Sequence, residues 1–348
     1  MRIIKKIIFW LLAIFASLAT LVYLVAFFLA PDLPEGAKPV IEKVISQPLP
    51  DLILGDTGFV SSNGVNIWYE SINPAGKSKG TILLVMGIGV DGLEWSPYFI
   101  KPLVDSGYHV IRYDHRATGL SDRMSNWSKS NAYTMEDMAE DTKVIIDTLG
   151  IDKVHIVGLS MGGMIAQTFA IRYPDRTISL TSIMSSPYIE DTTLVPIPRI
   201  MVARLAASTI RYKFPDNEKN KISRKIAARE VLYGKPLSLE RVKALSEDAL
   251  FNIRHRKDQN YFAFAQHGTA IHLSGSRIDA LKNLKIPTMV IHGTTDPLIN
   301  IIHGKKTAEI IPNAETLWIE GMGHDFPPEH TEEIHRGIFR IIDKASRQ

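Results

Sequence analysis

Three residues of this chain are of types that together make a hydroxyl reactive. Ser160 lies in Gly158-Leu159-Ser160-Met161-Gly162, with Gly163 following. An apolar β-branched run precedes this G-x-S-x-G and a helix-like run follows it, which is the setting of a sharp strand-to-helix turn that exposes the serine. Side chains at positions 158 and 162 would collide with such a turn. A serine hydroxyl attacks poorly until a base takes its proton. GMGHDFPP supplies His324 in a glycine-rich loop after the last strand-like run. The base needs an acid to hold its tautomer and stabilise the imidazolium. IPTMVIHGTTDPLI offers Asp296 in the loop after a strand. Asp325 is the rival, but a chain neighbour rarely reaches the Nδ1 of the adjacent histidine. The oxyanion of acyl transfer needs two backbone N–H donors. Met161 follows the serine, and Ile88 lies in MGIGVDGLEW after the strand-like TILLVM.

The elements that hold these loops alternate. FVSSNGVNIWYES carries Asn63-Gly64 between two strand-like runs, a hairpin signal. Short β-branched runs follow at 81–86, 108–114, 153–158, 178–184, 288–293 and 315–320, with helix-like patterns such as 135–150 and 163–173 between them. This alternation predicts an α/β fold, a mostly parallel sheet covered by helices on both faces. From about Tyr188 to Asn283 no strand is legible, and RIMVARLAASTIRYKF, ISRKIAAREVLYG and LERVKALSEDALFNI look helical. A helical insertion here would cap the carboxyl edge of the sheet, where ligands bind in open α/β sheets. Ile200, Met201, Val202, Leu205 and Ile210 either line an acyl pocket in that cap or pack on the core. Its basic run (Arg211, Lys213, Lys219, Lys221, Arg224, Lys225, Arg229) either meets anionic lipid head groups or forms a solvated face.

From Ile7 to Ala30 no residue is charged. As a helix this run spans about 36 Å, enough for a hydrocarbon core of about 30 Å. Arg2, Lys5 and Lys6 precede it, and Asp32 and Glu35 follow, with Pro31 and Pro34 ending any helix. The positive-inside rule then sets the N-terminus in the cytoplasm and the rest on the non-cytoplasmic side. The competing reading is a signal peptide, cleaved to release a secreted protein; the run is longer than an h-region, and Phe28 suits no small-x-small cleavage site. The expected organisation is a membrane anchor over 1–30, a proline-rich linker over 31–55, a core over 56–187 and 284–348, and a cap over 188–283. The chain has 348 residues, no cysteine and a formal charge of +3. Disulfides, zinc–thiolate sites and a cysteine nucleophile are excluded, and the charge gives no reason to expect nucleic acid as a partner.

Taken together, MGIGVDGLEW, RYDHRATGLSDR, VGLSMGGMIAQ, PTMVIHGTTDPLI and IEGMGHDFPP resemble the α/β-hydrolase superfamily, and within it the serine esterase group typified by aclacinomycin methylesterase, over roughly 56–345. The order Ser160, Asp296, His324 is the one this resemblance implies. Two departures stand out: Met86 where many members carry histidine, and Ala117 where many carry glycine. The first should not remove the oxyanion donor, which is a backbone group. Asp114, Arg116 and Ser121 resemble structural residues. Haloalkane dehalogenases and epoxide hydrolases resemble the fold but need a carboxylate at position 160. A serine there implies an acyl-enzyme and hydrolysis of an ester, thioester or amide, without metal or cofactor. The membrane segment makes the layout similar to anchored monoacylglycerol lipases and favours a small-molecule or lipid ester. The alternatives are a peptidase of the proline iminopeptidase type, which would want acidic residues in the cap, and a catalytically silent binding module.

Overall fold

Residues with branched Cβ atoms pack well on a pleated surface, and the runs noted above form strands. In the computed structural model, which describes residues 2–347, eight strands make one sheet. The strands are β1 (Asp56–Ser62), β2 (Val65–Ile72), β3 (Thr81–Val85), β4 (His109–Tyr113), β5 (Val154–Leu159), β6 (Thr177–Ile183), β7 (Thr288–Gly293) and β8 (Glu315–Ile319). Met1 and Gln348, the outer ends of the two terminal ranges, lie outside the described residues. The spatial order is β1-β2-β4-β3-β5-β6-β7-β8. β1 and β2 form an antiparallel hairpin, and β2 pairs antiparallel with β4. Asn63 and Gly64 turn that hairpin with φ of 49° and 78°, the mirror-image geometry that matches strand twist. All other pairings are parallel.

Among the described residues twelve α-helices accompany the sheet: α1 (Arg2–Leu29), α2 (Ala37–Ser46), α3 (Pro97–Asp105), α4 (Met135–Thr148), α5 (Met161–Arg172), α6 (Arg199–Arg211), α7 (Glu218–Tyr233), α8 (Leu239–His255), α9 (Tyr261–Ser274), α10 (Ile278–Leu281), α11 (Ile301–Ile310) and α12 (Pro328–Ala345). Alternate residues of β3 separate onto the two faces of the sheet. Leu83 and Val85 join Ile145, Ile146, Ile165 and Phe169 of α4 and α5. Ile82 and Leu84 join Phe99, Ile100, Ile338 and Ile341 of α3 and α12. The central strands are therefore buried on both faces, as a parallel sheet requires.

Between β6 and β7 the described chain is helical, α6 to α10. This insertion has a core of its own, including Ile222, Ile226, Leu245 and Leu250, and α2 completes it. Residues 31–55 thus differ from a free stalk. Ala37, Ile41 and Val44 recur at helical spacing and are buried against the insertion. The proline-rich composition hid this short amphipathic turn. α9 was not legible as a separate helix either.

The basic run also differs from both readings of it. Lys225 pairs with Glu94 at 2.6 Å and with Asp248, and Arg229 pairs with Glu94 at 2.8 Å. Lys219 meets Glu42 at 2.6 Å, Lys221 meets Asp258 at 2.7 Å, and Arg211 pairs with Asp32. Most of these cations face carboxylates that lie far away in sequence, so the run is neither an open lipid-binding face nor a merely solvated one. Of the apolar residues on α6, Met201 is buried, Ile200 and Val202 are exposed, and Ile210 packs beside Ala26, Ala30 and Ala207 at the end of α1. From Ile4 to Val25, α1 is exposed apart from half-buried Ala13. It is the one helix among the described residues that is long and apolar enough to cross a membrane.

The packing of α2 can be tested directly. Ile41 is fully buried, and Ile41→Ala should cost about 2–5 kcal/mol, read as a lower thermal midpoint of the full chain in non-ionic detergent. An unchanged midpoint would mean that 31–55 is a free linker.

Candidate active site

β5 ends at Leu159 and α5 starts at Met161, so Ser160 alone turns the chain. Its φ of 56° and ψ of −121° lie where side-chain-bearing residues rarely go. Such strain costs about 1–3 kcal/mol and persists only where surroundings enforce it. Here the Ser160 N–H donates to the Ile183 carbonyl at 2.8 Å, and the Ser185 hydroxyl donates to the Ser160 carbonyl at 2.8 Å. The glycines have distinct reasons. A Cβ on Gly158 would overlap the Gly162 carbonyl, within the turn itself. A Cβ on Gly162 would overlap the Val85 carbonyl at the end of β3, so this glycine serves the neighbouring strand and not the turn alone.

Loops at the carboxyl ends of three further strands converge on the serine. His324 follows β8, with Nε2 3.0 Å from the Ser160 Oγ and Nδ1 2.7 Å from the Asp296 Oδ2. With Nδ1–H donated to the carboxylate, Nε2 is free to accept the serine proton. Asp296 follows β7. Its Oδ1 accepts the N–H groups of Leu298 at 2.9 Å and Ile299 at 2.8 Å, which fixes the carboxylate plane. Burial pushes the Asp296 carboxyl upward, but the adjacent His324 and hydrogen bonds from His292 and His324 outweigh it and hold the group well below the usual carboxylate range. It is thus ionised and ready to hold an imidazolium. Asp325 points elsewhere: Arg241 grips it from two nitrogens, at 2.9 and 2.6 Å.

The loop after β3 runs beside the serine. A Cβ on Gly87 would lie 3.5 Å from the Ser160 Cβ. The next residue, Ile88, is half-buried, and its N–H has no acceptor among the described residues. Met161 opens α5, so its N–H belongs to the helix-start donors that lack an intrahelical acceptor. Among the described residues no group of three or more His, Asp or Glu side chains is arranged to hold a metal ion.

Three histidines that sequence reasoning did not single out support this arrangement. His292, on β7, donates to the Ile299 carbonyl at 2.8 Å and approaches the Asp296 Oδ2 at 3.3 Å. His115 bonds the Met86 carbonyl at 2.7 Å. His267, on α9, accepts the Gly89 N–H at Nδ1 (3.0 Å) and donates from Nε2 to the Arg116 carbonyl (2.9 Å). It ties the insertion to the residue directly after Ile88. Nothing local marks His267. Its partner lies 178 residues away.

The His267 pair of bonds requires a neutral ring, because Nδ1 accepts while Nε2 donates. Burial pushes His267 down to about 4, the Arg116 charge adding to the effect and the bond to the Arg116 carbonyl opposing it. Burial, with His267 and Arg116 nearby, lowers His115 to about 3. The unfolded chain takes up protons below about pH 6.5 while the folded chain does not. Stability from His267 is therefore complete above about pH 6.5 and is lost as pH falls toward about 4, on the order of 3 kcal/mol in all. Asp296, held low, adds its loss only below about pH 4. His267→Gln should flatten the decline of thermal midpoint between pH 7 and 4. An identical decline in the variant would refute this role for His267.

Comparison with known proteins gives a concordant picture. A model of the α/β-hydrolase fold family matches residues 80–331. Rhodomycin D methylesterase of Streptomyces peucetius is 25% identical over 295 residues, covering 78% of this chain and 93% of its own. The 2-hydroxy-6-oxo-6-phenylhexa-2,4-dienoate hydrolase of Burkholderia cepacia is 28% identical over 292 residues, covering 80% of this chain and 92% of its own. Among solved structures, an esterase of Exiguobacterium antarcticum superposes with a TM-score of 0.63 at 18% identity, covering 83% of this chain and 98% of its own, a likeness of fold alone. With the family model spanning most of its length, the chain belongs to the α/β-hydrolase fold family.

Proposed function

We propose that this chain is a membrane-tethered serine hydrolase that cleaves carboxylic esters through an acyl-enzyme on Ser160. One observation carries this reading: a single imidazole bonds the hydroxyl of a conformationally strained serine at 3.0 Å and an ionised buried carboxylate at 2.7 Å. A methylesterase among the relatives supports ester chemistry.

In this mechanism the Ser160 Oγ attacks the ester carbonyl carbon while His324 Nε2 takes its proton. Asp296 keeps the proton on Nδ1 and stabilises the resulting imidazolium. The N–H groups of Ile88 and Met161 hold the oxyanion as it forms, aided by the start of α5. The imidazolium then protonates the departing alkoxide as the carbon–oxygen bond breaks. Water enters, gives its proton to His324 and attacks the acyl carbon. Collapse of the second intermediate releases the acid and returns the proton to Ser160. The helices α6 to α10 form the cap over this site within 188–283, and 56–187 with 284–348 form the core.

The peptidase reading has less support. Glu94, Asp248 and Asp258, three carboxylates in and beside the cap, are each bonded to lysine or arginine, which leaves none of the three free for a substrate amine. The assembled serine, histidine and aspartate argue against a silent module. The tether rests on α1, whose apolar side chains from Ile4 to Val25, Ala13 aside, are exposed. About 22 residues of helix are about 33 Å long, enough for a bilayer core.

Ser160→Ala should abolish labelling by a fluorophosphonate probe and lower turnover of p-nitrophenyl esters by several orders of magnitude; undiminished labelling would sink the nucleophile assignment. Asp296→Asn should lower turnover by up to about 10⁴-fold with the fold retained. Asp325→Asn should instead act on stability, since it breaks the buried pair with Arg241, a loss of about 3–5 kcal/mol. A reversal of these two effects would show the acid to be Asp325. Protease outside intact cells should digest the hydrolase region, because Arg2, Lys5 and Lys6 retain the N-terminus in the cytoplasm. Protection until lysis would contradict that orientation.

A further inference from the structure

A cleft of about 160 Å³ lies between α7, the end of α8 and the loop after β3. Gly89 and Val90, next in chain to Ile88, line one side of it. Leu232 lines another, and its carbonyl accepts the His324 N–H at 2.9 Å. The cleft therefore adjoins both the oxyanion loop and the loop of the proposed base.

Its charges are unevenly matched. Asp91 meets Arg256 at 3.3 Å, Asp258 meets Lys221 at 2.7 Å, and Glu94 meets both Lys225 at 2.6 Å and Arg229 at 2.8 Å. Lys257 donates to the Leu120 carbonyl at 3.0 Å. Arg224 is the exception. It is only 7% exposed, yet its guanidinium has no carboxylate at ion-pair distance, and its Nε has no hydrogen-bond partner among the described residues. Its guanidinium lies over the Tyr261 ring, 4.4 Å from the guanidinium carbon to the centroid. That contact satisfies the face of the guanidinium and leaves its in-plane N–H groups unused. A buried cation without an anion is costly, and burial already lowers the Arg224 pKa, against the pull of Asp258 and Asp216. Every other cation lining the cleft has its acceptor within the chain. Among the described residues the Arg224 edge has no acceptor, so water or a bound anion supplies it.

We propose that this cleft is an anion subsite of the ester-hydrolase site, and that the substrate is an ester carrying a carboxylate or phosphate group, which Arg224 binds through its edge. The inference rests on the ester-hydrolase reading and specifies its substrate class. The planar fork of Arg224 suits two oxygens of either anion, and the Tyr261 ring holds the fork in place. The neighbouring pairs act as a frame: Glu94 and Asp258 are neutralised by Arg229, Lys225 and Lys221, so they do not repel an incoming anion.

The test uses the full chain in non-ionic detergent and two matched ester pairs. One pair is p-nitrophenyl valerate and p-nitrophenyl hemiglutarate, which differ by a carboxylate on the acyl side. The other is a monoacylglycerol and the same acyl chain on glycerol 3-phosphate, which differ by a phosphate on the alcohol side. In at least one pair the anionic member should have the higher kcat/KM, and the pair that shows it tells which side of the ester enters the cleft. Arg224→Gln should lower that anionic-to-neutral ratio by about tenfold or more, the scale of one charge-assisted contact. Arg224→Lys should retain part of the ratio, since it keeps the charge and loses the fork. Fluorophosphonate labelling of Ser160 reports that each variant is folded; if the glutamine variant is not, the ratios of the unmodified chain and of Arg224→Lys decide. No preference for the anion in either pair, or a preference that Arg224→Gln leaves intact, overturns the subsite. Failure to turn over any of the four esters overturns the ester-hydrolase reading itself, a separate outcome.

Discussion

The turn at Ser160 is the constraint on which the rest of the site depends. To hold a serine at φ 56°, β5 must stop and α5 must start within one residue. That is sterically possible only if Gly158 lets the turn close on Gly162 and Gly162 lets α5 press against β3. The same close approach brings the Gly87 backbone beside the serine. The proposed oxyanion donors are thus positioned by the contact that makes the turn possible. His324 and Asp296 need only leave the carboxyl ends of β8 and β7, because a parallel sheet directs all such loops to one edge.

A second layer of organisation is electrostatic. Loops of the core carry the buried carboxylates Glu94, Asp114 and Asp325, and their cations come from the helical insertion: Arg229 and Lys225, Arg256, and Arg241. Pairs of this kind add little net stability, because desolvation offsets most of the attraction. Loss of either partner is another matter, since it strands a charge in the interior. The insertion is therefore held in one docking geometry by the penalty of leaving it. His267 and the Leu232 carbonyl work in the same direction, one bonding the proposed oxyanion loop and the other the loop of His324. In the proposed mechanism this makes the geometry of the chemical groups depend on where the cap sits.

The proposed anchor meets this arrangement through the insertion. Ala26 and Ala30, near the end of α1, lie against Ala207 of α6, and Arg211 pairs with Asp32 just beyond α1. α2 then fills the core shared by α7 and α8. The segment between α1 and the core is thus built into the helical insertion, which in the proposed topology sets the cap, and with it the cleft beside Arg224, close to the membrane surface. An ester with an apolar chain and an anionic group suits that position.

Several features were legible in the chain itself because their physics is local. Steric exclusion around Ser160 requires glycine two residues to either side, so the turn is written in five residues. Strands show as β-branched runs, the Asn63-Gly64 hairpin by its turn chemistry, and α1 by an uncharged length matched to a bilayer. Chain order then made Asp296 the better candidate over Asp325. Other features were decided only by tertiary packing. Ser160 and His324 are 164 residues apart, and only the folded sheet makes them neighbours. A basic run has the same composition whether it faces lipid, water or buried carboxylates, and its partners, Glu42, Glu94, Asp248 and Asp258, lie on other elements. Proline-rich flanks concealed α2, whose three buried residues gain their meaning from the groove that receives them. His267 carries no local signal at all, and nothing in the basic run sets Arg224 apart from its neighbours. A side chain's partners are set by the packing of distant segments, whereas a turn's steric demands are set within the few residues that make it.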